Sequence, residues 1–261
     1  MQNHGRLQAF SLVELSIVLV ILGLLTGGIL AGQSLIRASE LRAVSTELQR
    51  WQTATGTFRD KYFAMAGDMS NATQFWTAAH ATPATCITTS STTQATCDGN
   101  GDGRIGGTND YEHYRMWQHL ANASLIEGTY TGVSGACHAS LCWIAGTNVP
   151  RSKVSASAAW GMRAYLDNFA GDGTMFAGNY GNWMQLGAMA ATSDAGLSAF
   201  KPEELWNIDT KMDDGRPAYG KIMARRWDNC TDAANQSDLN SDYALSTTSL
   251  ECAMVVRNLI N

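Results

Sequence analysis

Three oxygen-bearing side chains, Asp98, Asn100 and Asp102, alternate with glycine in the stretch D-G-N-G-D-G-R-I. Carboxylate, amide and carboxylate around a glycine-permitted turn present the hard oxygen donors that Ca2+ takes. Arg104 holds the seventh place of such a loop and Ile105 the apolar eighth. The twelfth place is Asn109 where a bidentate glutamate is usual, which leaves Asp110 or Glu112 to close a site. The same residues also suit a Gly/Asp-rich turn that binds nothing, and both readings stay open. A second acidic group, Asp209, Asp213 and Asp214, runs into Gly215 and Pro217 and reads as a turn between a helix and a strand.

Six cysteines, Cys86, Cys97, Cys137, Cys142, Cys230 and Cys252, follow a long apolar segment. An even number in that position reads as disulfides in an oxidising compartment. Proximity pairs Cys86 with Cys97, Cys137 with Cys142 and Cys230 with Cys252. A zinc site from Cys137, His138 and Cys142 would lack a second ligand pair. The five histidines form no H-E-x-x-H, and no G-x-S-x-G or phosphate-binding loop occurs. His113 and His119 are expected on a helix surface. No catalytic group assembles from these spacings, so the chain reads as a non-enzyme.

Elements must hold these residues. In 261 residues, 45% are hydrophobic, enough for a real core, while a net charge of −5 without a Lys/Arg-rich patch excludes a nucleic-acid partner. From Phe10 to Gly32 the chain is apolar apart from Glu14, long enough as a helix to cross a bilayer core of roughly 30 Å. Only Arg6 precedes it as a fixed cation, whereas Arg37 and Arg42 follow, so charge decides its orientation weakly. An unpaired carboxylate in lipid is expensive and marks a partner for Glu14.

Beyond Gly32, Leu41, Val44, Leu48, Trp51, Thr55, Phe58 and Tyr62 recur at spacings of three and four, one face of a helix. Arg42, Glu47, Arg50, Gln52 and Lys61 lie opposite. One helix from near Phe10 to about Ala64 is expected, ended by Gly67. Residues 77–110 read as a polar surface loop. Asp110 can cap a helix through Ile126, with Tyr114, Trp117, Leu120, Ala121 and Leu125 on one side and Gly128 as its stop. Strands are expected at Leu141–Ala145, Lys153–Arg163, Trp183–Ala188, Lys221–Trp227 and Glu251–Leu259, and a helix from near Pro202. The fold class is α+β: a long N-terminal helix on an antiparallel sheet, with disulfide-stapled loops.

The front end resembles a known family. A short polar leader ending in Ala9, then F-S-L-V-E-L and an apolar helix, is similar to the class III signal of type IV pilins and pseudopilins. Residues 58–76 also resemble a K-Y-x-x-x-P-G-D-M-x-N-A turn of large pilin-like proteins, with Ala66 in the proline slot and Gly67, Asp68, Met69, Asn71 and Ala72 matching. I-D-T-K-M-D-D-G-R-P-A-Y-G-K-I, residues 208–222, resembles a second signature of that subgroup.

The resemblance implies a leader over 1–9, a transmembrane and filament-core helix over 10–32, an amphipathic continuation over 33–64 and a globular head over 65–261. It implies cleavage by prepilin peptidase between Ala9 and Phe10, methylation of Phe10, and pairing of Glu14 with the N-terminal amine of an adjacent subunit. The implied partners are other pilin-like subunits, the prepilin peptidase/methyltransferase and an inner-membrane assembly platform. The implied place is the bacterial inner membrane with the head in the periplasm, then a pilus or pseudopilus. It also admits calcium in C-terminal loops, at Asp209, Asp213 and Asp214. A type II secretion pseudopilin shares every N-terminal requirement. A signal-anchored periplasmic enzyme or carbohydrate-binding module is the alternative from another class.

Overall fold

The computed structural model describes residues 11–106, 111–135, 142–189 and 196–260. Its first element, α1, is one helix, Leu12–Tyr62, of 51 residues, roughly 75 Å long at the standard rise. No proline interrupts it. Ser11 and Glu14 cap its start reciprocally: the Val13 N–H donates to Ser11 Oγ, and the Ser11 N–H donates to Glu14 Oε2 at 2.9 Å. The far end stops short of Ala64 and of Gly67. Phe63 turns left-handed at φ 52°, and its N–H donates to the Arg59 carbonyl.

Four short or medium helices follow before and within the head: α2 (Ala72–Phe75), α3 (Pro83–Cys86), α4 (Glu112–Asn122) and α5 (Pro202–Met212). A last turn, α6 (Trp227–Cys230), precedes the final strand. Strands β1 (Ala158–Leu166), β2 (Gly181–Ala188), β3 (Ile222–Arg225) and β4 (Ala253–Ile260) form an antiparallel sheet in the order β1-β2-β4-β3. The layout is α+β. The second half of α1, α4 and α5 cover the sheet, and Trp117, Trp160, Trp183, Tyr180, Phe176 and Phe200 are fully buried in the core. Val44, Leu48, Trp51, Ala54, Thr55 and Phe58 of α1 are buried there, with Leu41 and Tyr62 packed at the margin.

Several expectations are corrected. Strand β1 starts at Ala158 because residues 153–157 make turns, and the expected strand at 141–145 reduces, over 142–145, to one bridge between Ala145 and Val149. Trp227 leaves β3 for α6. Helix α4 ends at Asn122, not Ile126. Ser124 at φ 60° terminates it, with the Leu125 N–H returning to the Leu120 carbonyl, so Gly128 is not the stop. Nor is α4 one-sided: Glu112 through Leu120 are all buried, His113 and His119 included. The stretch from 77 is only partly a surface loop, since Cys86, Thr96, Cys97 and Ile105 are buried.

Candidate functional site

The candidate site begins with what α1 leaves bare. From Leu12 to Ile36 its apolar side chains face outward, Leu12 at 84%, Leu24 at 73% and Leu35 at 72% exposure. Its most apolar window has a mean hydropathy of 2.4 with none of it buried, and the helix is long and apolar enough to cross a membrane. Such a surface requires lipid or protein cover. At Gly23, Gly27, Gly28 and Gly32 an added Cβ would meet nothing within 4 Å. Their smallness serves no packing among the described residues and leaves room for a close neighbouring helix. Glu14 sits at the start of this surface as a capping residue. Ala9 and Phe10, assigned to processing and methylation, lie outside the described residues.

Two charged residues of α1 lock it to the head. All five N–H donors of Arg37 are engaged: Glu204 at 2.7 and 2.6 Å, Glu40 at 3.1 Å, and the carbonyls of Val154 and Ala199 at 2.8 and 3.0 Å. The hydrogen bond to Glu204 raises the Arg37 pKa despite partial burial. Burial pushes the Glu204 carboxyl up, but the Arg37 fork and the Lys201 N–H more than reverse this and hold it below its ordinary value. Helical spacing places Glu47 on the polar face. Instead it accepts from Ser152 Oγ at 2.6 Å, the Lys153 N–H at 2.9 Å and Trp160 Nε1 at 2.7 Å. Lysine cannot reproduce a five-donor planar fork. Arg37→Lys should therefore lower stability by about 2–3 kcal/mol, read by denaturant unfolding of the full chain in detergent.

The G-D-M-x-N-A turn is built around buried acceptors. Asp68 takes the N–H groups of Gly101, Asp102 and Gly103 at 2.6, 3.1 and 2.8 Å. Glu112 takes those of Asn100 and Gly106 at 3.1 and 2.9 Å. Two carboxylates thus organise the loop 99–106 through its backbone. Burial raises Asp68 against those N–H groups; burial raises Glu112 to about 7, aided by the negative neighbours Asp68 and Asp102. Gly67, at φ +95°, has no room for a side chain: a Cβ would lie 2.7 Å from the Glu112 carbonyl oxygen. Its N–H donates to His119 Nδ1 at 3.0 Å.

Of the proposed calcium residues, Asn100, Asp102 and Arg104 lie in this loop, Asp98 precedes it and Glu112 is on α4, and each of these has other partners. Asp98 accepts from the Thr73 N–H at 2.7 Å and the Thr73 hydroxyl at 3.0 Å, fixing the start of α2. Asn100 Oδ1 accepts from the Asp102 N–H, and Asp102 accepts from the Arg104 N–H and Asn100 Nδ2. Among the described residues they do not converge as a group of three carboxylate oxygens; a cation would compete with these donors. Arg104 instead stacks its guanidinium over Tyr165 at 4.6 Å. Asp110 lies outside the described residues.

Asp209, Asp213 and Asp214 do come together, their ligand oxygens lying within 4.8 Å of one another. Each is also used by the fold. Asp209 is buried, accepts from the Tyr243 hydroxyl at 2.8 Å and the Gly215 N–H at 3.2 Å, and burial raises it to about 7. Asp213 caps Lys221 and Ile222, and Asp214 accepts from the Arg216 N–H at 2.9 Å. The turn expected here is present.

Cys86–Cys97 and Cys230–Cys252 are disulfides with Cα separations of 5.8 and 5.0 Å. Cys142 is also disulfide-bonded, while Cys137 and His138 lie outside the described residues. Local reading missed Arg37, Glu47 and His119 because, apart from Glu40 beside Arg37, their partners are 22 to 167 residues away. The only signal in the chain was Arg37 as the first charge after the apolar run. Compared with protein-family models, curated proteins and solved structures, the chain matches none.

Proposed function

We propose that the protein is a non-enzymatic, membrane-inserted subunit of a type IV pilus-like filament, in a minor or specialised role suited to its large head. One observation carries the reading: a single uninterrupted helix has a bare apolar first half, while its second half is locked to a disulfide-stapled head. A helix of this kind is at home in a bilayer and equally in the dry core of a helix bundle. The resemblance at Ala9, Phe10 and Glu14 supplies the rest.

Prepilin peptidase cuts between Ala9 and Phe10 and the new amine is methylated. The subunit waits in the inner membrane with its head in the periplasm, where disulfides persist. The assembly platform then moves it into the filament, where Glu14 meets the Phe10 amine of a neighbour. Intact mass and N-terminal sequence of the protein from native membranes, with and without prepilin peptidase, test this. The expected product is a peptidase-dependent chain beginning at methylated Phe10. A chain beginning at Met1, or cut after the apolar run, overturns the reading and leaves an anchored or secreted domain.

A further inference from the structure

Charge is segregated on the head. No lysine or arginine occurs from Trp227 through Val256, whereas Asp228, Asp232, Asp238, Asp242 and Glu251 all fall there. Asp228, Asp232 and Asp242 are exposed, and none of the five joins an ion pair among the described residues. Arg216 reaches this loop only at the amide oxygen of Asn240. The loop is held in shape by Cys230–Cys252 and by a bridge in which the Asp232 N–H donates to the Asp242 carbonyl and the Asp242 N–H to Asp232 Oδ1. It is a preformed acidic knob.

A cleft of about 490 Å³ lies elsewhere, between α1 and the segments around Tyr130 and Pro150. Arg42, Arg50, Arg151 and Lys153 line it. Of its two acids, Glu47 is consumed by Ser152, Lys153 and Trp160. Glu127 is 92% exposed and only 3.7 Å from Arg50. The side chains of Arg42 and Lys153 have no hydrogen-bond or ion-pair partner among the described residues. Arg151 is braced by the carbonyls of Ala145 and Ala156, which hold the guanidinium without cancelling its charge. No hydrogen bond or ion pair joins this cleft to the acidic loop within the chain, among the described residues.

We propose that the basic cleft receives the aspartate-rich loop, residues 228–242, of a second copy of this chain. The cleft offers four cations on a protein whose net charge is −5, and this loop carries four aspartates with no lysine or arginine inside it, Arg225 and Arg226 standing just before it. Two different patches meeting on identical subunits make a heterologous contact, which propagates as an open helical array unless a rotation closes it. Exposed pairs of this type set orientation and partner choice more than affinity. The contact would therefore register the heads while the apolar helices supply the cohesion. The setting rests on the filament reading; the contact itself does not.

The test mixes nitrogen-14 and nitrogen-15 preparations of the full chain in detergent micelles and treats them with a carbodiimide, which joins an amine to a carboxylate at contact. The expected product is a mixed-isotope peptide pair linking Lys153 to Asp228 or Asp242. Its yield should fall about tenfold at 1 M salt, where screening shortens to about 3 Å. It should be lost in Lys153→Glu and return, with polarity reversed, in Lys153→Glu combined with Asp242→Lys. Among the described residues the Asp242 side chain makes no hydrogen bond that this exchange would break, so the restored link also reports folding. Links confined to one isotope, or joining Lys153 to carboxylates elsewhere, overturn the proposal. So does a yield of the mixed pair that is unchanged when inorganic polyphosphate is bound before coupling, because a cleft already filled by an anion would exclude the loop. Filaments that form without the link overturn the cleft assignment alone. The link without peptidase-dependent processing overturns the filament reading alone.

Discussion

Glu14→Gln is expected to abolish filament assembly about as completely as Glu14→Ala, although the two differ in what they do to the isolated helix. In the single chain Glu14 caps α1 by accepting the Ser11 N–H at 2.9 Å. Glutamine keeps an acceptor for that bond, so Glu14→Gln should cost the helix start little. Alanine loses the cap, at about 1 kcal/mol. In a dry bundle the carboxylate must instead pair with a cation, and removing one partner of a buried pair costs about 3–5 kcal/mol. That is a loss of two orders of magnitude or more in incorporation per subunit. Filament yield and membrane retention of both variants, measured side by side, check this. Normal filaments with Glu14→Gln would reduce Glu14 to its capping role.

His119→Ala should be the most destabilising single change in the head, by about 3–5 kcal/mol. The imidazole is fully buried, stacked against Phe58 at 6.2 Å and Trp76 at 5.6 Å. Its Nδ1 accepts the Gly67 N–H, so the proton sits on Nε2, which faces Thr96 Oγ1 at 3.0 Å. Truncation leaves a cavity and an orphaned buried N–H together. His119→Asn can restore the acceptor and recover part of the loss.

The pH dependence separates this role further. Burial, with Arg115 nearby, lowers His119 to about 3, so its stabilisation is complete above about pH 6.5 and is lost as pH falls through that window. Glu112 and Asp209, raised to about 7, act oppositely: their contribution is complete below their unfolded values and is lost as pH rises towards 7. Between pH 4.5 and 6.5 one histidine opposes carboxylates raised by burial, Glu112 and Asp209 with Asp68 acting the same way, so stability should fall with rising pH. In His119→Asn the opposing slope is gone, and the fall should steepen. Denaturant midpoints of the full chain in detergent across this range measure it; an unchanged slope would show that His119 titrates in the folded protein.

Much of the frame was legible from periodicity. The stripe from Val44 to Phe58 and the break from pure apolarity after Gly32 defined both halves of α1, because helical spacing and hydropathy are local properties. Helix α5 from Pro202, strand β2 and two of the cysteine pairings followed from equally local signals. The errors cluster where distant segments compete. Helix α4 read as amphipathic, yet loop 86–97 covers its polar side: Arg115 donates to the carbonyls of Cys86 and Thr89, and Gln118 to that of Ser91. Glycines at 67 and 128 read as helix stops, whereas Phe63 and Ser124 turn left-handed first.

The chain by itself determined that an apolar helix with one carboxylate leads into a covalently stapled α+β head, since composition, spacing and proximity are written along it. Only the tertiary structure decided which polar residues act as structure. Arg37 and Glu47 became the clamps on α1, Asp68 and Glu112 the supports of a loop, and the D-G-N-G-D run a set of hydrogen-bonded turns. The physical reason is desolvation: a polar group taken out of water must find a partner, and in this protein most of those partners come from segments far away in sequence.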